Sequence, residues 1–287
     1  MRKLLLLVAA LCLLLPSFAA ARTLKIATWN LEWLTLRQRG DRALPRDVHP
    51  RSPGDFRRLA AYAAQLNADV VAFQEVDGAK AASLVFPPAR YRLHLIGERV
   101  VQAVGFAIRR DISFTANPDF TALDPYPDAR YPLRSGADVT LHLASGPLRL
   151  LAVHLKTGCF SGPLGGRRAC RTLARQERAL RRWIAARAAE RVPFLVLGDF
   201  NRRLGLSHRF LPALDRAAPL ASATSHLSNP CWGGEYPNFI DQILAGGAAR
   251  HWLVAGSTRV LVYRERGWRW KDRLSDHCPV SALFKLP

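Results

Sequence analysis

The stretch Phe194-Leu195-Val196-Leu197-Gly198-Asp199-Phe200-Asn201 joins an apolar run to two closely spaced polar groups. Four apolar residues between Pro193 and Gly198 predict a short buried strand. That strand releases Asp199 and Asn201 at its C-terminal end. Residues two apart on extended chain share a face, so the carboxylate and carboxamide are expected in one cleft. Such a pair on a rigid strand end suits a phosphate, a metal-bound water or both.

The pattern recurs on both sides of this stretch. Residues 24–29 alternate as a strand and run into Asn30-Leu31-Glu32, again two polar groups two apart. Residues 69–73 form a second apolar run, which ends in Gln74-Glu75. Residues 137–143 and 148–155 read as a hairpin whose second strand ends His154-Leu155-Lys156. Residues 239–244 carry Asp241 inside an apolar run, where a charge needs a partner. The last predicted strand, 278–284, is preceded by Ser275-Asp276-His277.

Helices fill the intervals. Asp55 is expected to cap a helix reaching residue 66, with Leu59, Tyr62, Ala63 and Leu66 on one face. A short helix is expected over 79–84, and a long one over 169–191 with a Leu173, Leu180, Trp183, Ile184 stripe. Residues 91–96 and 100–108 read as an antiparallel pair, and 251–262 as β. Residues 37–53 form a long basic loop. Neither an internal repeat nor an interdomain linker is visible, so residues 22–287 are expected to be one domain and a monomer.

The N-terminus has the pattern of a secretory signal peptide. Arg2 and Lys3 precede an apolar run over 4–15, Pro16 breaks it, and Ala19-Ala20-Ala21 offers a cleavage site after Ala21. The run is short for a membrane span, so no anchor is expected to remain after processing, in the periplasm or outside the cell. Four of the five cysteines lie beyond it. Cys159 and Cys170 bracket a short glycine-bearing loop and are paired locally, which leaves Cys231 with Cys278. None of these spacings suits a structural zinc site. The chain carries 42 Lys and Arg against 22 Asp and Glu, a net charge of +20. An excess of this size on an exported protein points to a polyanionic partner.

Together these groups define a chemistry. Asn30, Glu32, Glu75, Asp199, Asn201 and Asp276 are hard oxygen ligands suited to Mg²⁺, Mn²⁺ or Ca²⁺. His154 and His277 can donate to a phosphate or accept a proton, and Asp241 is a natural orienting carboxylate for His277. The segments Trp29-Asn30-Leu31-Glu32, Phe73-Gln74-Glu75-Val76-Asp77, His154-Leu155-Lys156, Gly198-Asp199-Phe200-Asn201, Ile240-Asp241 and Ser275-Asp276-His277 resemble, in order, the endonuclease/exonuclease/phosphatase superfamily.

The resemblance implies a four-layer α/β sandwich: two packed mixed β-sheets flanked by helices. It implies Glu75 as principal metal ligand, with Asn30, Glu32 and Asp276 completing or water-bridging the site, and Mg²⁺ as the expected ion. His154 and His277 would hold the scissile phosphate, with His277 paired to Asp241. Asp199 would orient or deprotonate the attacking water, and Asn201 would position it. Whether His277 or Asp199 is the general base stays open. A phosphate-binding Tyr or Arg on a middle loop finds its counterpart in Arg130, with Arg134 as competitor. The activity implied is metal-dependent phosphodiester hydrolysis.

A nuclease acting on DNA or RNA agrees with the charge, the basic 37–51 loop, and the Arg- and Trp-rich stretch before Asp276. The alternative is a phosphatase or phosphodiesterase acting on a small-molecule or lipid head-group phosphoester. The inositol-phosphatase branch usually shows Cys-Asp-Arg where this chain has Ile240-Asp241-Gln242.

Overall fold

Two six-stranded sheets lie face to face with helices on both outer sides, as expected from the sequence. The computed structural model describes residues 22–98, 100–129, 132–206, 209–224 and 226–287. The expected signal peptide and Arg130 lie outside the described residues.

The first sheet is built from β1 (Thr23–Leu34), β2 (Val70–Val76), β3 (Tyr91–Leu95), β4 (Ala103–Arg109), β11 (Arg259–Val260) and β12 (Val280–Lys285). Its order is β11-β12-β1-β2-β4-β3. The second is built from β5 (Ser113–Ala116), β6 (Ala137–Leu143), β7 (Gly146–His154), β8 (Phe194–Asp199), β9 (Leu220–Ser222) and β10 (Asp241–Gly246). Its order is β5-β6-β7-β8-β10-β9.

Each sheet contains one parallel pair, β1 with β2 and β7 with β8. A parallel pair needs a crossover, and helices supply it. They are α1 (Pro53–Leu66) between β1 and β2, and α3 (Arg168–Ala189) between β7 and β8. The two halves therefore repeat a βαβ unit that leaves no trace as a sequence repeat. Two shorter helices, α2 (Gly78–Val85) and α4 (Phe210–Asp215), complete the outer layers.

Strand alternation sorts the core into three clusters. Leu24 and Ile26 of β1, Leu150 and Ala152 of β7, and Leu195 and Leu197 of β8 point between the sheets. Ala27, Trp29, Val71 and Phe73 face α1 and α2. Leu151, Val153, Val196 and Phe194 face α3 and α4.

Several local expectations are corrected. Ser52, not Asp55, is the N-cap of α1; Asp55 is the third residue of a capping box, each side chain meeting the other's backbone. Residues 251–262 hold the two-residue β11 and an isolated bridge from Leu253 to Phe284 rather than one continuous strand. The strand β5 has one exposed polar face and no apolar run, so the sequence offered no sign of it.

Candidate active site

The inward rows of the strands run directly into the polar residues singled out above. Asn30 continues Leu24 and Ile26 on β1, and His154 continues Leu150 and Ala152 on β7. Asp199 continues Leu195 and Leu197 on β8, and Asp241 shares the face of Ile243 and Ala245 on β10. Glu75 lies on the wrong parity, since simple alternation would send it outward beside Phe73. An irregular register between Phe73 and Val76 and a left-handed φ of 60° break that alternation. Glu32, at the register irregularity between Asn30 and Leu34 inside β1, and Asn201, two residues past β8, also take positive φ, 43° and 48°. At Gly198, φ is 142° and a Cβ would lie 1.9 Å from the Val153 carbonyl oxygen, so only glycine fits here.

The side chains converge from both sheets. Asn30 Nδ2 donates to Glu75 Oε1 at 3.0 Å and to Asp199 Oδ2 at 3.1 Å, bridging the two. His154 Nε2 lies 3.4 Å from Glu75 Oε1 and 3.5 Å from Asp199 Oδ2. Glu75, His154 and Asp199 present ligand atoms within 4.8 Å of one another, a donor set that could hold a divalent ion. On the other side of Asp199, His277 Nε2 stands 3.9 Å from Asp199 Oδ2. Its Nδ1 lies 2.7 Å from Asp241 Oδ2. Asn201 Nδ2 donates to Asp199 Oδ2 and to the Leu155 carbonyl, and its backbone N–H donates to Asp199 Oδ1 at 2.6 Å.

Glu32 and Asp276 sit one step from this cluster and contact each other. Asp276 N–H donates to Glu32 Oε2 at 3.0 Å. The expected ligand set thus divides, with Glu75 and Asn30 at the centre and Glu32 with Asp276 beside them.

Burial sets the charges. It pushes the Asp199 carboxyl up to about 7 against the pull of His277, with Asp241 and Glu75 adding to the rise. It pushes Glu32 up to about 8, and the neighbouring Asp276 carboxylate adds to it. Burial, aided by Arg134, holds His154 neutral, well below the ordinary histidine value. For His277 burial acts downward too. The Asp241, Asp276 and Asp199 carboxylates outweigh it, so His277 is held well above the ordinary value and stays charged.

A sequence model described as the Endonuclease/Exonuclease/phosphatase family matches residues 27–277, a span that contains every one of these side chains. The chain belongs to this family. Its members are phosphoester hydrolases. No curated protein sequence matches the chain. Among solved structures it is similar to a truncated TDP2 from Caenorhabditis elegans, at 14% identity and a TM-score of 0.57, covering 92% of this chain and 98% of that one. It is similar to the 3′ phosphatase NExo from Neisseria, bound to a product DNA hairpin, at 16% identity and a TM-score of 0.58 over 91% and 99% of the two chains. It is also similar to D. rerio TDP2 complexed with single-strand DNA product, at 17% identity and 0.55 over 91% and 98%. At such identities the likeness is one of fold.

Around this family scaffold the structure adds residues that the sequence reading misassigned. Arg51 belongs to the long basic loop, yet its side chain is 1% exposed. It donates to the carbonyls of Leu31, Trp33 and Leu274 and lies 3.5 Å from Glu32 Oε2. Tyr263 was grouped with the Arg- and Trp-rich stretch. It is buried, accepts from Trp29 Nε1 at 2.9 Å and donates to the His277 carbonyl at 2.8 Å. Residues 268–270 form a 3₁₀ turn, with Trp268 exposed and Trp270 packed under Arg273 and Arg58. Arg134 is 8% exposed, and its Nε has no hydrogen-bond partner among the described residues. Glu75 and Asp199 act on its charge electrostatically.

Both expected disulfides form. Cys159–Cys170 closes the loop after β7, and Cys231–Cys278 ties the loop before β10 to the residue after His277. They fit an oxidising compartment. No described helix is long and apolar enough to cross a membrane.

Proposed function

We propose that this chain is an exported, divalent-metal-dependent phosphodiesterase that hydrolyses nucleic acid. The observation carrying the reading is the convergence on Asp199 of a charged His277–Asp241 pair from one side and the Glu75–His154 cluster from the other. Glu75, with Asn30, His154 and Asp199 beside it and Glu32 and Asp276 at the margin, would hold the ion, Mg²⁺ by expectation. When bound, the ion neutralises phosphate charge and stabilises the leaving oxygen.

The chain's own groups do the rest. Asp199, raised to about 7, is matched to take a proton from water near neutral pH. Asn201 locks that carboxylate through two hydrogen bonds. His277, held charged by Asp241, donates to a non-bridging phosphate oxygen. The water oxygen bonds to phosphorus, its proton passes to Asp199, and the opposite ester bond breaks. Charge favours Asp199 over His277 as base, because a protonated imidazole has no lone pair to offer. Arg134 is the described candidate for a further phosphate contact, and Arg130 is the other.

The net charge of +20 supports a nucleic-acid substrate. The signal-peptide pattern and two disulfides support export. The test is cleavage of supercoiled plasmid and of single-stranded RNA by residues 22–287. It is run with Mg²⁺, Mn²⁺ or Ca²⁺, with EDTA, and with Asp199→Asn. Metal-dependent cutting lost in the variant is the expected result. No cutting under any metal, with release of phosphate or phosphocholine from small substrates, overturns it.

A further inference from the structure

A cavity of about 340 Å³ opens beside the candidate active site and shares Asp241, Asp276 and His277 with it. The remaining lining includes Phe160, Trp232, Tyr236 and Ile240, together with Asn238 and Arg203. No step of the hydrolysis uses this space.

Its walls are held in place from several directions. Trp232 takes a left-handed φ of 49°, donates from Nε1 to the Ser275 carbonyl at 3.1 Å, and packs 5.2 Å from the Tyr263 ring. The preceding residue is fixed by the Cys231–Cys278 disulfide. Lys271 bonds Glu235 at 2.6 Å and sits 5.3 Å over the Tyr236 ring. Across the cavity, Arg203 N–H donates to the Phe160 carbonyl, and its guanidinium lies 5.8 Å from the Phe160 ring. Despite this bracing the rings stay open to solvent, Tyr236 at 55% and Phe160 at 39%. Each ring carries a cation on one side and keeps exposed surface besides, which leaves room for a stacking partner.

The occupant must be flat, apolar on its faces and polar at its edges, and attached to the phosphate that reaches His277. A nucleobase meets each condition: its faces match the rings, and its edge can meet the Asn238 amide. The volume is that of a small-ligand site. A base stacked within an intact duplex cannot enter such a space.

Resting on the nuclease reading above, we infer that this cavity receives the nucleobase adjoining the scissile phosphate. The substrate must therefore present an unpaired nucleotide, in a single strand, a loop or a frayed end.

The experiment uses residues 22–287 and oligonucleotides with one cleavable linkage, the others blocked as phosphorothioates. The linkage is offered in single-stranded form, in a duplex, and in single strands whose base is deleted on one side or the other of the bond. The wild type should cut the single strand roughly tenfold faster in kcat/KM than the duplex, and base deletion on one side should cost about tenfold. In the Phe160→Ala/Tyr236→Ala double variant that deletion penalty should vanish, and Tyr236→Phe should retain it. Equal cutting of duplex and single strand overturns the inference. So does a penalty absent at both positions, or one that persists unchanged in the double variant. Metal-dependent hydrolysis of bis(p-nitrophenyl) phosphate by the wild type, with no oligonucleotide cut, overturns the nuclease reading and this inference together. Oligonucleotide cleavage without base dependence overturns this inference alone.

Discussion

His277 Nδ1 stands 2.7 Å from Asp241 Oδ2, and this contact joins the entry of β12 to the first residue of β10. It keeps the imidazole charged where burial alone would neutralise it. In Asp241→Asn the raising carboxylate is gone, so the His277 pKa falls toward neutrality. The wild type should therefore show no alkaline loss of kcat/KM, which rises through the neutral range as Asp199 ionises. The variant should lose kcat/KM as pH rises, on top of a loss of about 10–100-fold at neutral pH. A pH profile with parallel alkaline limbs in the two proteins would contradict this role.

Glu32 and Asp199 both have folded pKa values raised by burial, to about 8 and about 7. Unfolded carboxylates titrate near about 4. The favourable contribution of the neutral forms is complete below that value and is lost as pH rises through the folded pKa values. Metal-free protein should therefore melt at a lower temperature at pH 8 than at pH 5. Added Mg²⁺ or Mn²⁺ should raise the melting temperature more at pH 8, where both groups are ready to accept a cation. Thermal scans with EDTA and with metal check this; an equal metal effect at both pH values would count against it.

Arg51→Met removes the donor to three backbone carbonyls and the cation beside Glu32. Breaking one partner out of a buried charged network costs about 3 kcal/mol. Urea unfolding should show that loss, and isothermal titration should show weakened metal binding, because Arg51 holds the Glu32 pKa down and without it the carboxyl keeps its proton more tightly. A variant as stable as the wild type would place Arg51 outside the supporting network.

Arg134→Ala should raise KM for oligonucleotides while Arg134→Lys restores part of the loss. The buried guanidinium, with Nε unpaired among the described residues, is the expected anion contact. Loss of one charge-assisted contact is worth roughly 1.5–3 kcal/mol, about 10–100-fold. Inhibition by inorganic phosphate, measured in the same assay, should weaken in parallel. Unchanged KM and unchanged phosphate inhibition would leave Arg130 as the remaining candidate.

The strands were legible because their signals are local, and the sandwich followed from the resemblance that their polar ends carry. Strand runs end in polar residues, and the core rows of β1, β7, β8 and β10 do lead into Asn30, His154, Asp199 and Asp241. What stayed hidden depends on contacts distant in sequence. Nothing in the basic loop sets Arg51 apart, because its carbonyl partners on Leu31 and Leu274 come from other segments. The outward parity of Glu75 is corrected by a register irregularity that no periodicity announces. The Asp55 assignment failed because two cap-forming residues three apart, Ser52 and Asp55, exchange hydrogen bonds, and only geometry shows which one precedes the helix. The charge states of Asp199 and His154 arise from burial depth, which alternation alone does not measure.

The alignment of Asp199 with His154 and Asn30 is inherited from the layer beneath them. Leu197, Ala152 and Ile26 lie in the inter-sheet cluster; Leu197 and Ala152 sit just below Asp199 and His154 on their strands, and Ile26 sits below Asn30 with Thr28 between. The two sheets act as the jaws of a vise, and this apolar filling sets their gap. A displacement of about 1 Å between reacting groups can cost about 100-fold in rate. Turnover should therefore be as sensitive to the bulk of Leu197 as to the chemistry of the residue that follows Gly198.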